Sequence, residues 1–410
     1  MMPVDDDAEN GVGHLLGTKS SLVPLIDRLN RYPVGLVDSD KLRTILALLF
    51  TEQEAFVASR FPLHEATEEE LSQLTGLAAT DLHVVLEAMA NKGLVMDLPY
   101  GGTIYYLLVP GLIGFMEFTF MRRKPILTAP VPLADLARLM SEYLRENGRE
   151  GQGGEFFGSP TQLTRALAYH DRIPVTSSIT AYEDARRIIE DASYCAVTLC
   201  YCRHKKEHLG KTCRKGAPVE SLCMVFGQGA RFLVRRGFAQ ERDKASMLTG
   251  LEQARALGLT HVTDNVREKP SFICNCCRCC CELMTGVQDG FADGIAKTAF
   301  IAEVDTANCN YCGDCLKTCN VMCIGLADGA RGRPKDERYA EVDVSVCLGC
   351  GACIGACERE AIRLVRRPNA KTPPKNRDRM FVRILWEKGR LGPFLMDRAK
   401  QRWRKVVRRI

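Results

Sequence analysis

Two copies of one cysteine pattern, between Cys309 and Cys357, constrain this chain more than any other feature. The first copy has the spacing C-x2-C-x2-C-x3-C, and each cysteine of the second copy lies 38 residues after its counterpart. The flanking sequence Ala-Glu-Val-Asp repeats at the same offset, at 302–305 and 340–343. The segment therefore contains two half-domains of one plan, and we expect each to be a short strand, a cysteine loop and a short helix.

This spacing predicts that the eight cysteines hold two iron–sulfur cubes. In ladders of this kind, three thiolates bind one cube, and the fourth thiolate binds the cube of the other copy. Paired C-x2-C motifs also suit tetrahedral zinc, but crossed sets of three plus one favour two [4Fe–4S] clusters. The first cluster is then expected on Cys309, Cys312, Cys315 and Cys357, and the second on Cys347, Cys350, Cys353 and Cys319.

On these eight cysteines, residues 298–366 resemble the bacterial-type ferredoxins that hold two [4Fe–4S] clusters. The resemblance implies a ferredoxin-like domain that transfers single electrons. The family usually has proline after the fourth cysteine, where this chain has Asn320 and Glu358. Cys323 is an extra cysteine at the position where the second copy has Ala361, and we interpret it as a packed residue rather than a ligand.

The total of 20 cysteines agrees with metal binding in a reducing compartment. A secreted chain would use them for disulfides, but residues 1–7 are acidic and lack the apolar core of a signal peptide. The longest apolar run, 104–116, is too short to span a bilayer. We therefore expect a cytoplasmic protein whose cysteines bind metals, from an anaerobic or microaerobic host.

Four cysteines in the middle of the chain form a further set with the spacing C-x-C-x10-C-x9-C. Nearby lysines and arginines lower the pKa of thiols and favour the thiolates that a metal requires. We interpret the set as the ligands of a third [4Fe–4S] cluster, with structural zinc or redox-active thiols as alternatives. Its members are Cys200, Cys202, Cys213 and Cys223.

Six more cysteines crowd into eight positions and suggest a fourth metal centre. If the stretch were an extended strand, alternate cysteines would face opposite sides: Cys274, Cys276 and Cys280 on one side, and Cys277, Cys279 and Cys281 on the other. One four-coordinate ion cannot use all six. The alternatives are that only two or three bind metal while the others pack, or that the segment forms a dithiol or cluster site where chemistry occurs.

The N-terminal part shows the order helix, helix, turn, helix, hairpin. Thr67–Glu70 is a capping box that predicts a helix start, Thr80 is the expected cap of the next helix, and Gly93 is its expected end. This order resembles winged helix-turn-helix domains over residues 38–110. The candidate recognition helix carries Asp81 and Glu87 with little positive charge, so we favour protein docking or dimerisation over binding of nucleic acid.

The positive charge of the chain is concentrated in its tail. Residues 366–410 hold 16 Lys and Arg against 3 Asp and Glu, whereas the rest of the chain is net negative. A basic segment with interspersed apolar residues can dock on an acidic partner, pack back on the acidic body, or lie on anionic lipid at the inner membrane face. We favour docking on a partner or on the body.

Together these features predict an α+β multi-domain protein with a winged helix, a cysteine-rich middle domain and a ferredoxin-like domain. The expected function is transfer of single electrons to or from a partner oxidoreductase. The alternatives are a redox-sensing winged-helix regulator, and an oxidoreductase with a catalytic cluster at Cys274–Cys281. The expected division is a leader (1–37), a winged-helix-like domain with a helical extension (38–147), a glycine-rich linker (148–160), a cysteine-rich metal-binding domain (161–297), the ferredoxin-like domain (298–366) and the basic tail (367–410).

Overall fold

The computed structural model describes residues 22–173, 180–327 and 337–396, together with residues 332, 334 and 399. Most of the expected leader, residues 1–21, lies outside the described residues. The described chain is a mixture of helices and strands, and its named strands pair into four antiparallel sheets. This confirms the α+β class.

The N-terminal part consists of five helices and a three-stranded sheet. Apolar residues at helical spacing, such as Leu42, Ile45 and Leu49 on the second helix, are buried in one core. The sheet has the order β1-β3-β2. The elements are α1 (Val23–Leu29), α2 (Asp40–Leu49), α3 (Glu52–Ser59), β1 (Ala66–Thr67), α4 (Glu68–Thr75), α5 (Ala79–Lys92), β2 (Val95–Tyr100) and β3 (Thr103–Leu108).

Two of the three predicted helix boundaries here are confirmed. The Thr67 hydroxyl accepts a hydrogen bond from the Glu70 N–H at 3.2 Å and so caps α4. Gly93 ends α5 in the left-handed conformation, with φ +79°, that glycine adopts without strain. The expected cap at Thr80 is wrong, because the extended residue before α5 is Ala78 and Thr80 already lies in the first helical turn.

The predicted glycine-rich linker is packed against the body. It contains helix α8 (Gln152–Phe157), which follows α6 (Met116–Thr119) and α7 (Leu133–Arg145). The Gln152 side chain is fully buried: it donates to the Gly35 carbonyl at 3.0 Å and accepts from the Val37 N–H at 2.8 Å. A Cβ on Gly154 would lie 1.8 Å from a backbone oxygen. The glycines therefore permit close packing instead of forming a flexible connection.

The cysteine-rich middle part is built on a six-stranded antiparallel sheet of order β4-β8-β9-β6-β5-β7. The strands at its centre, β6 and β9, align Cys223 directly opposite Cys274. The strands are β4 (Thr164–Ala166), β5 (Cys195–Thr198), β6 (Cys223–Phe226), β7 (Ala239–Glu241), β8 (Thr260–Asp264) and β9 (Phe272–Cys276), and the helices are α9 (Ala185–Asp191), α10 (Tyr201–His208), α11 (Gly227–Arg235), α12 (Lys244–Ala256) and α13 (Glu282–Gln288).

The two cysteine ladders fold into crossed halves. Strand β10 (Phe300–Val304) precedes the first ladder and pairs with β13 (Ile362–Arg366), which follows the second. Strand β11 (Ile324–Leu326) follows the first ladder and pairs with β12 (Ala340–Val342), which precedes the second. The first loop includes the short helix α14 (Asp314–Thr318), and the second a single 3₁₀ turn at Ile354–Ala356. The crossing brings the last cysteine of each ladder toward the other ladder.

Strand β2 of the N-terminal part packs on α11 of the middle part, and α5 contacts Arg236, the residue that follows α11. The Arg236 guanidinium donates to both carboxylate oxygens of Glu87, at 2.8 and 2.9 Å. Asp97, on β2, is nearly buried and lies 3.0 Å from both Arg235 and Arg236. The Glu87 carboxylate is therefore in contact with protein, whereas Asp81 and Val84 on the same helix are exposed.

The described part of the basic tail packs on the body. Helix α15 (Arg377–Glu387) buries Ile384 completely against Val266 and Met380. Its last residue, Glu387, accepts hydrogen bonds from the Thr161 N–H at 2.8 Å and from the Thr161 hydroxyl at 2.6 Å. The apolar residues predicted farther on, within 401–410, lie outside the described residues. Docking on the body accounts for the apolar side of α15.

Candidate metal centres

The four cysteines expected for the first cluster converge between α14 and β13. The Cys315 thiol is surrounded by the thiols of Cys309, Cys312 and Cys357, and burial together with these neighbours raises its pKa to about 11. The sulfur of Cys309 accepts the Ala340 N–H at 3.4 Å. The sulfur of Cys357 accepts the N–H of the residue before β13 at 3.3 Å. Backbone donors to sulfur are characteristic of thiolates that bind a metal.

The four cysteines expected for the second cluster line one partly enclosed pocket. Its walls include Cys319, Cys347, Cys350 and Cys353, together with residues 348–352 of the loop. Gly349 has φ +71°, and a Cβ there would lie 2.0 Å from the Phe300 carbonyl oxygen, so the loop can approach β10 only with glycine. The structure thus brings both predicted sets together, with the fourth cysteine supplied by the other ladder.

Cys323 is a fifth thiol in the second pocket. Its sulfur lies 3.5 Å from the Cys319 sulfur, and it also contacts the Cys347 thiol. Hydrogen bonds from Cys323 lower the pKa of Cys319 to about 7 and that of Cys347 to about 6. Sequence comparison of the two copies aligned Cys323 with an alanine. It could not show that the chain turns back after Cys319 and returns Cys323 to the same pocket.

The middle part also reaches the second pocket. The Thr260 hydroxyl, at the start of β8, is fully buried and donates to the Cys350 sulfur at 3.5 Å. Asn320 stands where ferredoxins usually have proline. Its side-chain amide donates to the Gly258 carbonyl at 2.8 Å and to the Thr260 hydroxyl at 2.9 Å, and its oxygen accepts the Arg278 N–H at 3.2 Å. Because asparagine stands at this position, hydrogen bonds join the first cysteine ladder to the middle part of the protein.

The ten predicted ligands of the middle part separate into two groups that differ from the sequence-based sets. The four-cysteine group has all its sulfur atoms within 4.8 Å of one another, which is unique among the described residues, and it could hold a metal ion. It consists of Cys213, Cys277, Cys279 and Cys280. Cys213 comes from the loop after α10, and the other three come from the turn between β9 and α13.

The six-cysteine group forms a continuous series of neighbouring thiols. Each member contacts the next, from Cys200 through Cys223, Cys274, Cys276 and Cys281 to Cys202. Hydrogen bonds from Cys223 and Cys276 lower the pKa of Cys274 to about 6. The pKa of Cys281 is held well below its ordinary value by the thiols of Cys202 and Cys276, with further help from backbone N–H groups at the start of α13.

This division corrects the expected grouping of Cys200, Cys202, Cys213 and Cys223. Cys213 does not join the other three, because the chain after α10 leads it toward the turn that follows β9. The expected division of Cys274–Cys281 holds for four of the six cysteines: Cys274 and Cys276 lie in one group, and Cys277 and Cys279 in the other. Strand β9 ends at Cys276, and the turn after it exchanges the groups predicted for Cys280 and Cys281.

Arg203 stands between the two groups and is 3 % exposed. Burial alone would lower its pKa, but the electrostatic influence of the neighbouring Cys200, Cys223 and Cys277 keeps that pKa above its ordinary value. Its guanidinium donates to the Pro218 and Asn275 carbonyls. A buried cation requires nearby negative charge, and the surrounding cysteines would provide it when a metal binds them as thiolates. The cysteine sulfur atoms, together with the positive charge of Arg203, are suited to metal binding.

Cys195 is separate from both groups. It lies on β5, is buried in an apolar core, and burial raises its pKa. It therefore provides a reference thiol with a packing role.

Comparisons of this chain with protein-family models, curated proteins and solved structures find no match. Among the described helices, none is both long and apolar enough to cross a bilayer.

Proposed function

We propose that this protein transfers single electrons between iron–sulfur clusters and a partner oxidoreductase. The observation that carries the proposal is the pair of crossed cysteine sets at residues 309–357, each closed by the last cysteine of the other ladder. Such sets fit two [4Fe–4S] clusters, which supply one-electron storage without bond chemistry on a substrate.

The ligands in this proposal are the eight ladder cysteines. Cys309, Cys312, Cys315 and Cys357 would hold the first cluster, and Cys347, Cys350, Cys353 and Cys319 the second. Backbone N–H donors at Cys309 and Cys357 and the Thr260 hydroxyl at Cys350 are the contacts expected to tune such centres. Cys323 would contribute a hydrogen bond beside the second cluster instead of a ligand bond.

A third iron–sulfur centre is proposed within the six-cysteine group. This replaces the set that included Cys213. The six thiols are spread along β6, β9 and the starts of α10 and α13. Among the described residues, no three of them have all sulfur atoms within 4.8 Å of one another, so the group is wider than a single-ion site. All six side chains are buried or half-buried, which favours electron storage over reaction with a substrate. Helix α5 exposes Asp81 and pairs Glu87 with Arg236, and this acidic surface favours docking of protein over binding of nucleic acid.

The experiment is a count of iron and acid-labile sulfide on the full chain, purified without oxygen. Three cubes predict about twelve irons per chain, and the two ladder clusters alone predict about eight. Electron paramagnetic resonance (EPR) after reduction with dithionite should show spins of reduced [4Fe–4S] clusters. Cys312→Ala is the most informative variant, because Cys312 is exposed and its removal disturbs packing least.

We expect Cys312→Ala to lose the spectrum of one cluster while the other signals remain. Cys195→Ala is the matched control, since it removes a buried thiol that belongs to neither group, and its iron content should equal that of the unmodified protein. A chain that holds little iron and about two or more zinc ions at the ladder cysteines would refute the electron-transfer function.

A further inference from the structure

The four-cysteine group is more compact than a set of thiolates around an iron–sulfur cube. The sulfur of Cys213 lies 3.8 Å from that of Cys279, which lies 3.7 Å from that of Cys280. In a tetrahedral zinc site with Zn–S bonds of about 2.3 Å, neighbouring sulfurs are about 3.8 Å apart. In a cube each thiolate binds a different iron, so the thiolates stand farther apart.

The ladder cysteines provide an internal comparison. Among the described residues, neither of the two expected cluster sets has all four sulfur atoms within 4.8 Å of one another, whereas the four-cysteine group does. The same fold therefore holds two cysteine sets with widely separated sulfur atoms and one set whose sulfur atoms lie close together. The narrow set has the size that a single ion requires.

Charge at the four-cysteine group also suits a tetrathiolate site, which carries two negative charges with a divalent ion. The buried Arg203 lies beside Cys213 and Cys277. Its Nε atom is buried and has no hydrogen-bond partner within the described part of the chain. A metal held by Cys213 and Cys277 as thiolates would place negative charge beside this cation and stabilise it through space.

The segment that carries Cys213 and the turn that carries Cys277, Cys279 and Cys280 are both hydrogen-bonded to the loop around Cys319. Lys215, two residues after Cys213, donates to the carbonyls of Gly258 at 2.7 Å and Thr318 at 2.9 Å. Arg278, between Cys277 and Cys279, donates its guanidinium to the Leu316 carbonyl at 3.2 Å and its N–H to the Asn320 side chain. An ion that joins Cys213 to the turn would therefore fix this loop from two sides.

We propose that Cys213, Cys277, Cys279 and Cys280 bind one zinc ion in a closed tetrahedral site that holds the Cys319 loop against the middle part of the protein. Four thiolates complete the coordination shell, so the site is structural and has no open position for a substrate. This site is separate from the iron–sulfur centres, and it does not depend on their presence.

The test compares metal content in Cys213→Ser and Cys195→Ala with that of the unmodified full chain, all purified without oxygen. The unmodified chain and Cys195→Ala should contain about one zinc ion each. Cys213→Ser should lose most of its zinc, while iron and sulfide stay unchanged. A loss of about four irons in Cys213→Ser would instead place Cys213 on a cube, and a loss of one iron would assign a mononuclear iron site; either result overturns the proposal.

A second measurement does not depend on a variant that folds. X-ray absorption at the zinc edge of the unmodified chain should show four sulfur neighbours at about 2.3 Å. Nitrogen or oxygen neighbours would overturn the assignment. Hydrogen exchange of residues 316–320 should become faster in Cys213→Ser and stay unchanged in Cys195→Ala; equal exchange in both would overturn the role in holding the loop. Zinc found in a chain without iron would leave this site in place while refuting the electron-transfer function.

Discussion

Asn320 shows how a single residue can connect a cysteine ladder to the rest of a larger protein. At this position a proline would shape the loop and donate no hydrogen bond. The asparagine instead makes three hydrogen bonds, to Gly258, Thr260 and Arg278, all in the middle part. The loop after Cys319 is therefore positioned by neighbours that are distant in sequence.

The Thr260 hydroxyl is predicted to tune the second ladder cluster. A hydrogen bond to a cluster sulfur stabilises the reduced, more negative form. Thr260→Val removes the donor to Cys350 and keeps the side-chain volume nearly constant. Loss of a bond of about 0.5–1.5 kcal/mol should lower the reduction potential of this cluster by about 20–60 mV.

A redox titration followed by EPR would measure this shift. Thr260→Ser is the control, because it keeps the hydroxyl group and should keep a potential close to that of the unmodified protein. An unchanged potential in Thr260→Val would mean that the hydroxyl does not act on the cluster.

At the scale of elements, strand β9 and the turn after it decide which cysteines meet. The strand places Cys274 and Cys276 on one face, and the pairing with β6 adds Cys223 opposite Cys274. Helix α13 then begins with Cys281 as its N-cap, so that backbone N–H groups point at this thiol. A boundary between strand and turn thus separates six closely spaced cysteines into two groups.

Helix α15 is predicted to stay on the body through its buried apolar face. Ile384→Asp places a carboxylate against Val266 and Met380, and burial of an unpaired charge costs several kcal/mol. The helix should detach, and trypsin should cleave within residues 377–390 about tenfold faster or more. Digestion followed by mass spectrometry measures the rate.

The control for that helix is Trp386→Ala, on the same element. The Trp386 side chain is 69 % exposed, so its removal should leave the cleavage rate nearly unchanged. If Ile384→Asp and Trp386→Ala are digested equally slowly, the helix is held by contacts other than this apolar face.

Across the whole molecule, the N-terminal part is joined to the middle part by charge as well as by apolar packing. Phe118 packs against Phe238, with ring centroids 5.7 Å apart, beside the contacts of Asp97 and Glu87 with the two arginines. Because Asp97 is nearly buried, its charge is less screened by solvent than that of an exposed pair. The N-terminal part is thus a fixed component of the protein.

Asp97→Ala should loosen this interface by about 1–3 kcal/mol, since it leaves Arg235 and Arg236 without their shared carboxylate. Hydrogen exchange should become faster in residues 79–100 and 227–236, while iron content stays the same. Asp135→Ala removes an exposed ion pair with Arg138 and should leave exchange in both segments unaltered. Equal protection in the two variants would contradict the role given to Asp97.

The sequence by itself determined the ladder sets, because a repeat with fixed spacing imposes which cysteines can share one loop and which must cross. It also indicated helices α4 and α5 and the β2–β3 hairpin of the N-terminal part, since apolar periodicity and caps act within a few residues. It did not reveal that residues 148–160 are packed against the body, because glycine occurs both in flexible segments and where two backbone segments approach closely.

Only the tertiary structure decided the grouping of the ten middle cysteines, the place of Cys323 and the contact of Thr260 with Cys350. Each of these depends on which distant segments are neighbours in the sheet or follow the same turn. Cys213 and Cys277, for example, are 64 positions apart in the chain, and local spacing contains no information about their meeting. Long-range packing supplies that information, because it is fixed by burial of the whole core rather than by any short pattern.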